Sequence, residues 1–227
     1  MSAAGGPPTD PGWRDQLNRA GDHWPITLQH AGVVLRPIRV RDRGTWDAIR
    51  EANRQWLSPW DATMPPGGAP GPRTYAGFVR MLTRQARQGQ SLPWLVAVDR
   101  ERGAAAGTLP VVGQLTVSGI TYGSAQCAQV GYWIDQRWAG RGIIPTAVAM
   151  ATDYCFAVLG LHRMEVAIRP ENEKSLRVVR KLGFRHEGLR PRYLHIDGEW
   201  RDHEIFALHS EEVPGGLLAR YEHGRPR

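Results

Sequence analysis

The chain has 227 residues, enough for one substantial core, and a formal charge of +7 from 29 basic and 22 acidic residues, of which only Lys174 and Lys181 are lysines. A basic surface suits an anionic cofactor, a ribosome or nucleic acid, but no helix or tail concentrates the arginines, which speaks against dedicated nucleic-acid binding. Cys127 and Cys155 are too few and too far apart for a metal knuckle, and no apolar run approaches about 18 residues or a signal-peptide core, so the chain reads as cytoplasmic, metal-free and without a membrane span.

Residues 1–30 open on Ser2-Ala3-Ala4-Gly5-Gly6-Pro7-Pro8 and read as a partly disordered extension, with Trp13, Leu17 and Trp24 available to dock part of it. Val33 to Ile38 is the first strand, with Pro37 at an edge or a strand end. Asp42 is the expected N-cap of a helix through Trp46, Ile49 and Asn53. Trp56-Leu57-Ser58-Pro59-Trp60 precedes a Pro/Gly loop from Met64 to Pro72 that can border a binding site, with Trp56 and Trp60 lining an acceptor channel or covering a core edge. A helix from Tyr75 to Gln88 follows, then strands at Trp94–Val98 and Val111–Ile120, the latter with Gly113 at a bulge.

Ala128 to Asp135 is a strand that runs into Arg137-Trp138-Ala139-Gly140-Arg141-Gly142. Behind this turn, Ile144, Ala147, Val148, Ala151, Cys155, Val158 and Leu159 mark a helical stripe ended by Gly160. Gly140 and Gly142 let successive N–H groups converge, and a helix N-terminus adds free donors and a positive dipole end, a combination that binds phosphate or pyrophosphate. No Gly-Lys-[Ser/Thr] follows, so this is not a P-loop, and Pro145 stands where a dinucleotide fingerprint needs a third small residue. An ordinary glycine turn between strand and helix fits the pattern alone equally well.

Arg163–Ile168 is a further strand. Asn172 caps a short helix with Leu176, Val179 and Leu182 on its apolar side and Gly183 at its end. Phe184–Ile196 and Trp200–Leu208 flank Asp197-Gly198, a strong hairpin signal. The expected layout is an extension at 1–30, one mixed α/β domain over 31–212 with a layered sheet and helices on its faces, and a polar tail at 213–227.

This ordered set resembles the GNAT superfamily of acetyl-CoA-dependent N-acetyltransferases over about Val33 to Leu208. Within it, Asn53-Arg54-Gln55-Trp56-Leu57-Ser58-Pro59-Trp60, Lys181-Leu182-Gly183-Phe184-Arg185-His186-Glu187-Gly188 and Tyr193-Leu194-His195-Ile196-Asp197-Gly198-Glu199-Trp200-Arg201-Asp202-His203 are similar to the RimJ/RimL branch of ribosomal-protein N-terminal acetyltransferases, on its RimJ side. The resemblance implies a mostly antiparallel sheet splayed at the cofactor, with helices on both faces, and acetyl-CoA as cofactor. Its pyrophosphate would lie on the backbone of Arg137, Trp138, Ala139, Gly140, Arg141, Gly142 and Ile143, with charge from Arg137 and Arg141. Its pantetheine would pair with the backbone around Trp133 and Ile134, and Asn172 and Ser175 would complete the cofactor site.

Many relatives protonate the leaving thiolate with a tyrosine at the position of Val179. That tyrosine is absent, and Ser175 is the branch's alternative acid. The bland alternative is that Ser175 and Asn172 only finish the first turn of their helix. Relatives carry a base at Gln129 or Leu194, neither of which takes a proton here. Glu171, Glu187, Asp197 and Asp202 acting through water, and His195 and His203, are substitutes, each equally a structural residue. Trp56, Trp60 and Tyr193 are the expected acceptor contacts.

The implied activity is acetylation of a protein N-terminus, with a ribosomal protein as acceptor and the enzyme a monomer or homodimer. A small-amine acetyltransferase is the first rival: a closed acidic pocket favours it, whereas an open groove between the Trp60 loop and the Tyr193 hairpin favours a peptide. A non-catalytic acetyl-CoA-binding ribosome assembly factor is the second.

Overall fold

The computed structural model describes residues 23–68, 71–100 and 103–224. Its strands are β1 (Leu28–His30), β2 (Val33–Pro37), β3 (Ser91–Val98), β4 (Val111–Thr121), β5 (Cys127–Ile134), β6 (Arg163–Ile168), β7 (Arg185–Ile196) and β8 (Glu199–His209). They form one sheet in the order β1-β2-β3-β4-β5-β6-β8-β7, antiparallel throughout except for the parallel pair β5 and β6. The helices are α1 (Arg43–Ala52), α2 (Arg54–Leu57), α3 (Tyr75–Arg87), α4 (Ile143–Ala157), α5 (Glu173–Leu182) and α6 (Leu217–His223).

Two apolar layers hold the helices to the sheet. On one face Ile144, Ala147 and Val148 of α4 and Leu176 and Val179 of α5 pack on Leu115, Val130 and Met164. On the other, Ile49 of α1 and Val79 and Leu82 of α3 pack on Leu95 and Val111. β2 and nearly all of β3 are buried on both sides, which is why neither alternates apolar with exposed polar residues; the one charge within them, Arg36, is paired with Asp42.

The sheet divides at its centre. β5 and β6 pair only at Cys127–Arg163, Ala128–Met164 and Gln129–Glu165. Beyond that, β5 stays with β4 as far as Ile134 while β6 follows β8 as far as Ile168. The splayed, helix-covered sheet expected from the resemblance is present. Gly113 lies at a bulge, since Val96 pairs with Gly113 and Ala97 with Val111. A Cβ there would stand 2.3 Å from the Trp133 carbonyl oxygen, so only glycine lets β4 and β5 close at this point.

Four expectations need correction. The 213–227 stretch is not a polar tail: over its described part it carries α6, whose Leu217 and Tyr221 are buried in the core below α4 and whose first amides are held by the Asp153 carboxylate. For the same reason α4 has no one-sided stripe. It lies between the sheet and α6, and every residue from Ile143 to Thr152 is buried. The extension at 1–30 overlaps the domain, because Leu28–His30 is the edge strand and Trp24 packs 5.9 Å from Trp94. Trp13 and Leu17 lie outside the described residues. Asp42 stands at the N-cap position of α1 but does not cap it. Arg36 takes its carboxylate through two bonds of 2.9 Å and the Arg39 N–H takes it at 2.8 Å, because a buried guanidinium needs that charge more than a helix end does.

Candidate active site at the split in the sheet

β5 supplies an unpaired edge. The Asp135 N–H bonds to Val112 O on β4, and alternate residues of an antiparallel strand face the same neighbour, so Gly131 and Trp133 also direct their backbone groups to β4. Tyr132 and Ile134 therefore direct theirs into the split. The Ile134 carbonyl confirms this direction, since it accepts the Trp56 indole N–H at 3.0 Å. The backbone groups of this edge that face the split are therefore those of Tyr132 and Ile134, while those of Trp133 pair with β4.

Past β5 the chain turns sharply. Asp135, 1 % exposed, accepts the Arg137 N–H at 2.9 Å and the Arg137 Nη2 at 2.6 Å, and those bonds hold its carboxyl below the usual carboxylate range. Asn53 accepts the Gln136 N–H at 2.8 Å, and the Trp138 and Ala139 amides bond back to Asp135 O and Gln136 O. Gly140 and Gly142 then adopt φ of 77° and 78°. After them the N–H groups of Gly140, Arg141, Gly142, Ile143 and Ile144 have no acceptor among the described residues, at the N-terminus of α4. Pro145 has no N–H to leave unpaired. The run of unpaired amides therefore begins at Gly140. The amides of Arg137, Trp138 and Ala139 build the turn instead, and the Arg137 guanidinium is tied to Asp135. Arg141 stays on the outside, over the Trp138 ring at 5.1 Å, with Arg100 over the same ring at 4.7 Å.

A cavity of about 1050 Å³ runs from this cradle through the split. Ile143, Pro145, Asn172 and Ser175 line it on the α4/α5 side, and Trp60, Gln114, Thr116, Gly131 and Trp133 on the other. Lys174, Arg177 and Lys181 of α5 also line it, and none of them has a carboxylate partner among the described residues.

Asn172 caps α5 as expected, its Oδ1 accepting the Ser175 N–H at 3.1 Å. This leaves the Ser175 hydroxyl free of capping duty. Val179 is 0 % exposed, packed inside the core, so α5 offers no phenol at that position. A phenol comes from elsewhere: the Tyr132 hydroxyl is enclosed, makes no hydrogen bond of ordinary length, and has the Ser175 hydroxyl beside it, while burial pushes its pKa well up. Strand alternation assigns Tyr132 to the α5 face together with Val130. That rule was the available signal for a residue the sequence reasoning passed over.

The expected bases are all engaged. Gln129 donates to Tyr193 Oη at 2.9 Å, and Glu165, the carboxylate at the fork, is held by Arg163 at 2.9 Å. Glu171 is held below the usual carboxylate range by its own backbone N–H and by Arg169, and Glu187 by Arg163. Asp202 accepts the Arg192 N–H at 2.7 Å, and Asp197 occupies the hairpin turn at φ 49°. His195 is fixed by the Thr63 hydroxyl at 2.8 Å, and burial lowers the pKa of His203, favouring its neutral form.

The aromatic residues divide their work. Trp56 braces the split, bonded to Ile134 and covered by Lys174 at 3.7 Å. Trp60 lines the cavity beneath Arg169, at 5.3 Å. Tyr193 reaches the fork through Gln129. The loop after Trp60 is joined to the final hairpin, with Ala62 bridged to Ile196 and the Thr63 N–H donating to His195 O at 2.9 Å. The groove between them, whose opening would favour a peptide, is closed there. The cavity is not acidic either: Asp61, Glu171 and Glu173, which line it, pair with Arg50, Arg169 and Arg180.

The family model described as an acetyltransferase (GNAT) domain matches residues 33–185. The chain belongs to the GNAT acetyltransferase family. It is an acyltransferase, and the free amides and unpaired strand edge fit the diphosphate and amide-bearing arm of the acetyl-CoA that the family uses. The [Ribosomal protein uS5]-alanine N-acetyltransferase of Escherichia coli is 29 % identical over 191 residues, covering 84 % of this chain and 94 % of that enzyme. The probable N-acetyltransferase YjcK of Bacillus subtilis is 38 % identical over 98 residues, and there the match spans 54 % of the relative. Among solved structures, RimJ of Mycobacterium smegmatis in complex with CoA-disulfide superposes with a TM-score of 0.76 at 36 % identity, covering 88 % of this chain and 95 % of that one.

Proposed function

We propose that this GNAT enzyme moves the acetyl group of acetyl-CoA to the N-terminal α-amine of a protein, with a ribosomal protein in the cytoplasm as the acceptor class. The observation that carries the proposal is the cavity through the sheet, with a run of free amides on one face and a tryptophan-lined chamber whose carboxylates are paired on the other. The E. coli relative that aligns over nearly its whole length is named for the alanine of a ribosomal protein.

The absence of a free base fits an α-amine. Its pKa is about 7.7–8.0 against about 10.4 for lysine, so an appreciable share is neutral at cytoplasmic pH without help. The Gly140–Ile144 amides hold the diphosphate, and the β5 edge holds the arm and polarises the thioester carbonyl. The amine nitrogen bonds to the carbonyl carbon as the carbon–sulfur bond breaks. Ser175 supplies the proton that the departing sulfur takes up, and water carries away the proton lost by the amine.

A spermidine N(1)-acetyltransferase of E. coli is 33 % identical over 95 residues, half of that enzyme's length, which keeps a small amine as the second reading. The paired carboxylates of the chamber weigh against a polycation. Intact-mass analysis of peptides with free and blocked N-termini, alongside spermidine, tests the choice. Peptides with free N-termini are expected to gain one acetyl group. Acetylation of spermidine alone would overturn the protein-acceptor proposal.

A further inference from the structure

We infer that the Tyr132 hydroxyl is a positioning group for Ser175, donating to its Oγ so that the Ser175 proton points at the sulfur that leaves. This rests on the assignment of Ser175 as the acid. An enclosed hydroxyl without a partner is unfavourable, and in the wall of a cavity it marks a bond that forms when the cavity fills. The two hydroxyls already lie side by side, and both residues line the cavity at the split.

The placement has a further consequence. The Tyr132 backbone faces the split, where an amide-bearing arm would pair, while its side chain reaches the first turn of α5. One residue thus registers both the arm and the acid. Val179 is sealed in the core, so the strand supplies the phenol that the helix lacks.

During transfer the sulfur leaves with the electron pair of the carbon–sulfur bond and takes the Ser175 proton. Tyr132 keeps its own proton and stabilises the charge passing to Ser175 Oγ. Water that accepted the amine proton restores Ser175. Burial favours the protonated phenol, which keeps a proton to donate when its neighbour gains negative charge.

The test is a double-mutant cycle on the full-length protein with acetyl-CoA and an acceptor peptide. Tyr132→Phe is expected to lower kcat about tenfold, the worth of one hydrogen bond, with KM for acetyl-CoA and the Kd of CoA unchanged. In the Ser175→Ala background the same change is expected to do nothing. Its melting temperature should equal or exceed the wild type's, because an unsatisfied hydroxyl is removed. Unchanged kcat for Tyr132→Phe would overturn the inference while leaving Ser175 as acid. The same tenfold loss in both backgrounds, or earlier melting of Tyr132→Phe, would also overturn it. Full turnover by Ser175→Ala would remove the acid assignment itself. The acceptor is judged separately by the mass assay.

Discussion

Asp135 and Arg137 form a two-residue clasp where β5 ends: the buried carboxylate accepts the arginine's backbone N–H at 2.9 Å and its Nη2 at 2.6 Å. The clasp makes the bend from which the free amides of Gly140 to Ile144 follow. It also ties the glycine turn to pH. The carboxyl is held below its ordinary pKa, first by the Arg137 side-chain bond. The unfolded chain therefore binds more protons than the folded one as an unfolded aspartate titrates, near pKa ~3.9. The stability from this group is fully present above that value and is lost as pH falls through the lower folded pKa. Asp135→Asn should flatten the decline of the urea midpoint between about pH 5 and pH 2. Parallel wild-type and variant curves would show that the clasp carries no such linkage.

The cradle itself is open to a backbone test. A Cβ on Gly140 would meet nothing within 4 Å, so only its φ of 77° opposes a side chain. Gly140→Ala is expected to cost about 1–2 kcal/mol and, by turning the local amides, to weaken CoA roughly tenfold. Calorimetric titration with CoA measures the second effect. Unchanged affinity would mean that these amides do not hold the diphosphate.

Ser175 and Asn172 separate chemistry from capping. The cap bond uses the Ser175 backbone, not its hydroxyl. Ser175→Ala should thus lower kcat by about a hundredfold while stability stays within about 0.5 kcal/mol. Asn172→Ala loses the cap and should destabilise by about 1 kcal/mol. Steady-state kinetics with thermal melts on both variants tell the roles apart. Equal melting losses in the two would return Ser175 to a purely structural role.

The order of elements and the glycine turn were legible because apolar runs, Asn172, Gly160 and Gly183 each act through near neighbours. What escaped depends on distance or on unusual spacing. The clasp between Arg137 and Asp135 forms in the turn past the end of β5, where no regular element sets side-chain facing, so the spacing alone leaves Arg137 reading as a free cation. α6 is only seven residues long and its Leu217 and Tyr221 are set among charges, so nothing local marks it as core. Alternation places Tyr132 on the α5 face, but only the fold places the first turn of α5, with Ser175, beside it. Trp56, expected at the acceptor, braces Ile134 across 78 positions of sequence.

Arg36 and Asp42 carry the clearest stability prediction. Both are buried, at 3 % and 8 % exposure, and two 2.9 Å bonds join them. Asp42→Ala leaves a guanidinium uncompensated in the layer below α1 and α3 and should cost about 3–5 kcal/mol. Chemical denaturation measures it. A loss under about 1 kcal/mol would place the pair among exposed ion pairs in effect.

Gly131 tests where the acceptor lies. It shares a strand face with Gln129 and Trp133, pairs with Thr116 on β4, and borders the chamber on the α1/α3 side. A Cβ there would meet nothing within 4 Å and its φ is ordinary, so a larger side chain enters open space without backbone strain. Gly131→Leu should fill the floor of the chamber and raise KM for an acceptor peptide by about tenfold, since roughly 1.4 kcal/mol of contact is displaced. The cradle and the Tyr132–Ile134 edge are left intact, so the Kd of CoA and the melting temperature should not move. Kinetics with the peptide varied at saturating acetyl-CoA give the answer. An unchanged peptide KM would put the acceptor outside this chamber, and a loss confined to CoA affinity would put the cofactor inside it.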